Sequence, residues 1–239
     1  MTLGPSIYAS MTLGPSIYWY VTRASGAVAL ILLTASVVIG IAAIGRLRGP
    51  AVPRFMVDGL HRTASLLAIV LLAIHILTSV LDSFAPISIV DAVIPFVGAY
   101  RPLWLGLGTV AFDLLLAVAI TSLVRRRLGY AAWRGIHWLA YACWAVAVLH
   151  GFGTGSDVHQ TWMLAIDIAC IAAVLAGVVV RAAIGWPERA RLRLGMLGLA
   201  GAFTLGLLIW LPSGPLGKGW ARRAGTPHAL LTPGRGGHA

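Results

Sequence analysis

Apolar residues gather into six blocks separated by polar connections: residues 20–45, 58–81, 103–124, 132–151, 160–183 and 195–211. Each approaches the ~20 mostly apolar residues that a helix needs to cross a bilayer. The pattern predicts an all-α, polytopic membrane bundle of about six transmembrane helices. The last block is the shortest and is rich in glycine. The connection from Asp82 to Pro102 is long and partly apolar (Ile87, Ile89, Val90, Val93, Ile94 and Phe96), and Pro86, Pro95 and Pro102 prevent one continuous helix there. It reads as an interfacial segment over the outer face, with Tyr100 and Trp104 at headgroup level. The chain divides into an N-terminal extension (1–19), a transmembrane core (20–184), an additional helix (195–211) and a basic tail rich in glycine and proline (212–239).

The composition places the chain in a bilayer. It is 59% hydrophobic and 10% charged, with a mean hydropathy of +0.89, values outside the range of soluble domains. The formal charge of +11 does not point to nucleic acid, because the basic residues sit mostly in short loops between apolar blocks. Arg46, Arg48, Arg54 and Arg62 flank the first connection, Arg125, Arg126, Arg127 and Arg134 the third, and Arg181, Arg189, Arg191 and Arg193 the fifth. These are twelve of the 18 basic residues, all on one side. The positive-inside rule puts that side in the cytoplasm and the N-terminus outside, in the cell (plasma or inner) membrane. Six spans leave the tail outside, although it carries Lys218, Arg222, Arg223 and Arg235. Cys143 and Cys170 lie within apolar blocks and imply no disulfide framework. MTLGPSIY occurs twice, at Met1–Tyr8 and Met11–Tyr18; this reads as a short tandem duplication, with Met11 an alternative start.

Four histidines fall inside the predicted spans, His61 and His75 on the second and His137 and His150 on the fourth. Ionisable groups at membrane depth usually mark function. The spacings of 14 and 13 residues correspond to about 21 Å and about 19.5 Å of helical rise. One span intervenes, so the two helices run in the same direction. His61 then lies near the depth of His137 on the cytoplasmic side, and His75 near His150 on the outer side. Facing imidazoles at two levels suit the axial positions of two stacked haems between the second and fourth helices. With no CxxCH sequence, haem would be held by ligation and packing alone. Helix phase agrees for His61 and His75, about 3.9 turns apart, but not for His137 and His150 at about 3.6 turns. The model therefore requires a tilt or local distortion in the fourth span. Two other readings remain: core histidines satisfied by backbone or hydroxyl partners, and a metal-ion path, which usually needs carboxylates beside the imidazoles.

The 14 and 13 spacings, with Trp133-Arg134-Gly135-Ile136-His137-Trp138-Leu139-Ala140-Tyr141 leading the fourth span, resemble the ferric reductase-like transmembrane domain family. That family includes ferric reductases, NADPH oxidases and the haem-binding subunit of bacterial methionine sulfoxide reductase systems. The resemblance covers about residues 20–184. It implies two haems b, an inner one on His61 and His137 and an outer one on His75 and His150, carrying electrons across the bilayer. Ferric reductases and oxidases of the family carry a cytoplasmic flavin and nicotinamide module. Here a short basic loop, one helix and a tail follow the core, so the donor is expected to be separate: a flavoprotein, a quinol or another small reductant. Expected acceptors include ferric iron, an extracytoplasmic redox protein and oxygen. The chain is then a transmembrane component of an oxidoreductase, without a catalytic dehydrogenase domain. A non-redox membrane protein, a small transporter or an assembly subunit with structural histidines, is the alternative from another class.

Several charges surround the quartet. Arg62 and Arg134 adjoin the inner histidines and are candidates for haem propionates facing the cytoplasm, since guanidinium pairs well with carboxylates; ordinary positive-inside anchoring is the competing reading. Arg101, the only basic residue in the outer connections, is the candidate for the outer propionates. Asp113 lies mid-span in the third helix and is a candidate to fix an imidazole tautomer or relay a proton. Asp167 in the fifth invites the same question. Asp157 and His159 sit in the outer loop beside His150, as metal ligands, a docking feature or a solvated loop. Gly151, Gly153 and Gly155 are expected to end the helix at His150.

Overall fold

The computed structural model describes residues 16–44, 53–184 and 186–231. The first MTLGPSIY copy, most of the second, and Arg46, Arg48 and Arg235 lie outside the described residues. Every described element is a helix, in chain order α1 (Ile17–Ile44), α2 (Arg54–Leu81), α3 (Ile89–Val93), α4 (Pro102–Leu123), α5 (Arg125–Leu128), α6 (Tyr130–His137), α7 (Leu139–Thr154), α8 (Thr161–Ala183), α9 (Ala190–Ser213), α10 (Trp220–Arg223) and α11 (His228–Leu231). Among the described residues six spans are long and apolar enough to cross a membrane: α1, α2, α4, α6 with α7, α8 and α9. The protein is an all-α polytopic membrane bundle.

Packing divides the bundle into two pairs and a flank. α1 packs most extensively on α2, and α4 on α7, while α8 lies against α1 with α9 behind it. A buried core of Val37, Ile41, Trp144, Val148, Phe152, Val174, Val178 and Leu207 joins α1, α7, α8 and α9. The Trp144 indole crosses this core and donates to Thr34 Oγ1 at 2.9 Å, giving a buried N–H the partner it needs. On the opposite side the α1–α2 and α4–α7 pairs face each other across a cleft.

The fourth span is broken where the helix-phase argument demands a distortion. Trp138 N–H reaches back to Gly135 O at 3.3 Å, and Tyr141 N–H reaches Trp138 O at 3.1 Å, both bonds spanning three residues. Such a turn winds at about 3.0 residues per turn in place of about 3.6. The overwinding rotates His150 toward the phase of His137.

The expected helix end at the Gly151–Gly155 cluster needs correction. The helix does not end at His150 but continues to Thr154, with Gly155 as its cap. Gly153 serves packing: a Cβ there would collide with the Trp104 ring. Tyr100 and Trp104 pack within the protein. Tyr100 is buried, and Trp104 stacks on Trp210 at 4.9 Å and packs against Trp220 at 5.2 Å. α9 is also longer than its apolar block, since it begins at Ala190, where Arg193 Nη1 donates to the Ala182 and Ile184 carbonyls at the end of α8. The strong polar partner allows the helix to start upstream of the apolar residues.

The C-terminal segment packs on the same side as the loop after α7. Arg101 N–H donates to Gly225 O at 3.1 Å and Trp220 Nε1 to Gly153 O at 3.2 Å. One of its cations has structural partners: Arg223 donates to the Lys218 carbonyl at 2.5 Å and the Ser213 carbonyl at 2.8 Å. A topology reporter inserted at Ser156 or Lys218 should therefore read the same side, and one between Arg125 and Arg134 the opposite side. Opposite readings from Ser156 and Lys218 would contradict this packing.

Candidate functional site

The cleft brings the four histidines together as two pairs. The His61 and His137 ring centres lie 6.1 Å apart, those of His75 and His150 6.4 Å apart. Two imidazoles sharing one metal ion, each at a metal–nitrogen bond of about 2 Å with the ring centre about 1.1 Å further, place their centres about 6.3 Å apart. Both pairs match that separation, so the donor set fits one planar macrocycle per level. No group of three or more metal-ligating side chains occurs among the described residues.

Three of the four rings are fixed by main-chain carbonyls. Nδ1 of His61 lies 2.9 Å from Ser36 O, Nδ1 of His75 2.8 Å from Thr22 O, and Nδ1 of His150 2.8 Å from Trp104 O. A carbonyl only accepts, so each Nδ1 must carry the proton, and Nε2 keeps its lone pair for a metal. Asp113 has no part in this: it is exposed on the surface of α4, and carbonyls set the tautomers in its place.

Each carbonyl is followed four residues later by a glycine: Thr22 by Gly26, Ser36 by Gly40, Trp104 by Gly108. In a helix the residue at i+4 stands directly over the carbonyl of residue i. A ring reaching that oxygen must cross the position where a Cβ belongs. A Cβ on Gly108 would lie 2.5 Å from His150 Cε1, and one on Gly26 2.9 Å from His75 Cε1. At Gly40 the distance to His61 Cε1 is an ordinary 3.5 Å. The sequence carries a signal for this: Gly26 and Gly40 repeat, on the neighbouring antiparallel helix, the 14-residue spacing of His61 and His75.

His137 departs from the scheme. Its Nδ1 is buried without a hydrogen-bond partner. On the facing stretch of α4, Thr121 and Ser122 hydroxyls donate to the Ala117 and Val118 carbonyls. Trp133 stacks on the His137 ring instead, at 4.9 Å and 29°, and its indole donates to Ser122 Oγ at 3.2 Å. Ring orientation at this position therefore rests on stacking. Arg62 and Arg134 are exposed at the same end of the bundle.

The cavity at the outer pair, about 300 Å³, is lined by apolar side chains such as Leu30, Leu72, Phe112 and Leu115, with Arg23, Asp82, Asp91 and Asp157 among its polar residues. Arg101 is not on its wall. It lines a separate cavity, and its guanidinium donates from Nε to Thr226 Oγ1 at 2.9 Å and from Nη1 to Gly153 O and Thr154 O, each at 3.1 Å. Those carbonyls end α7, where acceptors lack intrahelical donors and the dipole favours a cation. The expected contact of Arg101 with outer carboxylates is thus replaced by helix capping. The cation on the outer cavity is Arg23, which sequence reasoning missed because it lies inside the first apolar block. Arg23 is ion-paired with Asp157 and lies 3.8 Å over the Trp19 ring. Ser16 Oγ donates to Asp82 at 2.6 Å on the same rim. Asp157 is thereby engaged with Arg23 inside the bundle, whereas His159 is exposed.

Comparison with known proteins gives one match: a model of the family described as ferric reductase like transmembrane component aligns with residues 25–148. The matched stretch includes His61, His75 and His137 and stops two residues before His150. No curated protein and no solved structure matches the chain. The carbonyl–glycine geometry makes its own forecast. Gly108→Ala should destabilise the protein by about 1–3 kcal/mol, the usual cost of overpacking, and Gly40→Ala by clearly less, as read from thermal unfolding in detergent micelles. Equal losses would remove the close-approach argument.

Proposed function

Because the chain belongs to the ferric reductase-like transmembrane component family, we propose that it is a membrane b-type cytochrome holding two bis-histidine haems and carrying electrons across the bilayer. Membership makes it a membrane component of a redox system. The reading of two centres rests on one observation: the imidazole pairs with ring centres 6.1 and 6.4 Å apart. His61 and His137 would hold the inner haem, and His75 and His150 the outer one. When bound, haem supplies a one-electron iron couple at each level.

The protein's part is to hold and tune. The carbonyls of Ser36, Thr22 and Trp104 keep three Nδ1 protons in place and raise the basicity of the opposite nitrogen. His137, without such an acceptor, remains the weaker donor. Arg62 and Arg134 are suited to the propionates of the inner level. No nucleophile or general base is called for, because the cofactor carries the chemistry. The redox partners would be a separate donor and acceptor, one at each face: a flavoprotein, a quinol or an extracytoplasmic redox protein.

Reduced-minus-oxidised absorbance of the purified chain should show a b-type spectrum; a colourless preparation from haem-replete cells would end this reading. His75→Ala and His150→Ala should each abolish the same spectroscopic centre and spare the other, and loss of different centres would refute the pairing. Trp133→Leu, which frees the His137 ring, should move the midpoint potential of the inner centre and leave the outer one in place, as followed by redox titration.

A further inference from the structure

We propose that a second cavity on the outer face, of about 390 Å³, binds the phosphate or carboxylate group of a small anion or a lipid headgroup. It lies between the start of α4, the loop after α7 and the C-terminal segment, and Arg101, His159 and Lys218 line it. No carboxylate is among the lining residues. The one acid in the adjoining loop, Asp157, belongs to the other cavity and is paired with Arg23.

Arg101 is the centre of the site. It is only 8% exposed, with Nε on Thr226 and Nη1 on the Gly153 and Thr154 carbonyls. Nη2 bonds to none of the described residues. A buried guanidinium with a remaining donor on a cavity wall recognises planar oxyanions in particular. The backbone of Arg101 is left-handed, at φ 42°, a conformation that costs a non-glycine residue and persists only where its surroundings fix it.

The other walls are built independently of any ligand. Arg223 donates to the Ser213 and Lys218 carbonyls at either end of the 214–217 turn. Trp220, pinned to Gly153 O, forms one side. The Ser156 hydroxyl adds a donor on the lining. Gly155, Ser156 and Val158 line both this cavity and the one at His75 and His150, so a bound anion would sit one loop away from the outer histidine level.

The test uses the full chain in dodecyl maltoside micelles and in nanodiscs. Radiolabelled inorganic phosphate probes the free anion, and nanodiscs of phosphatidylcholine with or without phosphatidylglycerol probe the headgroup. Saturable phosphate binding, weakened at least tenfold in the His159→Gln/Lys218→Gln variant, supports a free anion. Retention of phosphatidylglycerol through purification, lost in the same variant, supports the lipid source. Both substituted residues are exposed, and Lys218→Gln alone serves should the double variant melt early. Absence of saturable binding for both probes, or equal binding to wild type and variants, overturns the proposal. The haem absorbance of the same samples is read separately, so failure of the redox reading and failure of this site are told apart.

Discussion

An imidazole N–H donating to a main-chain carbonyl over a glycine is the interaction on which the rest of this bundle depends. It appears at His61, His75 and His150 and settles three things together. The ring is oriented across the cleft, the tautomer leaves Nε2 open, and at Gly26 and Gly108 the helix supplying the carbonyl is held at the distance that the missing Cβ allows. In a bilayer, where an unsatisfied polar group finds no water, each such bond also meets the general demand that buried donors have acceptors. The helix pairing follows: α1 must lie on α2 and α4 on α7, because those are the helices that lend the carbonyls.

Much of this arrangement was readable from residue spacing. The apolar blocks placed six spans within a few residues, because length and composition alone decide membrane crossing. A fixed rise per residue put His61 beside His137 and His75 beside His150 in depth. The break at Trp138 was legible only as a requirement, since no proline marks it, and a short overwound turn leaves no signature in composition. The role of Arg23 was hidden by its place inside an apolar run. Arg101 misled for a different reason: it does lie in the connection before α4, but the nearest need for positive charge is the end of α7. Gly153 likewise looked like a helix breaker, while its service is to admit Trp104.

The two levels are chemically unequal. The outer pair has both rings bound to carbonyls and an apolar cavity with a paired Arg23 at its rim. The inner pair has one ring bound to Ser36 and the other stacked on Trp133. Hydrogen bonding at Nδ1 strengthens the opposite nitrogen as a ligand, so the levels differ in donor strength before any difference in solvent exposure. If the pairs hold the two haems proposed above, such inequality would grade otherwise identical centres.

The cleft also has a mechanical side. α2 and the α6–α7 span, which bear the histidines, make little direct contact; each is braced by its own neighbour, α2 by α1 and the α6–α7 span by α4, and the two pairs meet where α1 touches α7. The histidine-bearing helices thus behave like the arms of a clamp whose hinge is the α1–α7 seam, where Trp144 reaches Thr34. That seam is packed into the α8 and α9 core, which contains none of the four histidines, so the two pairs are joined through side chains other than those that face the cleft.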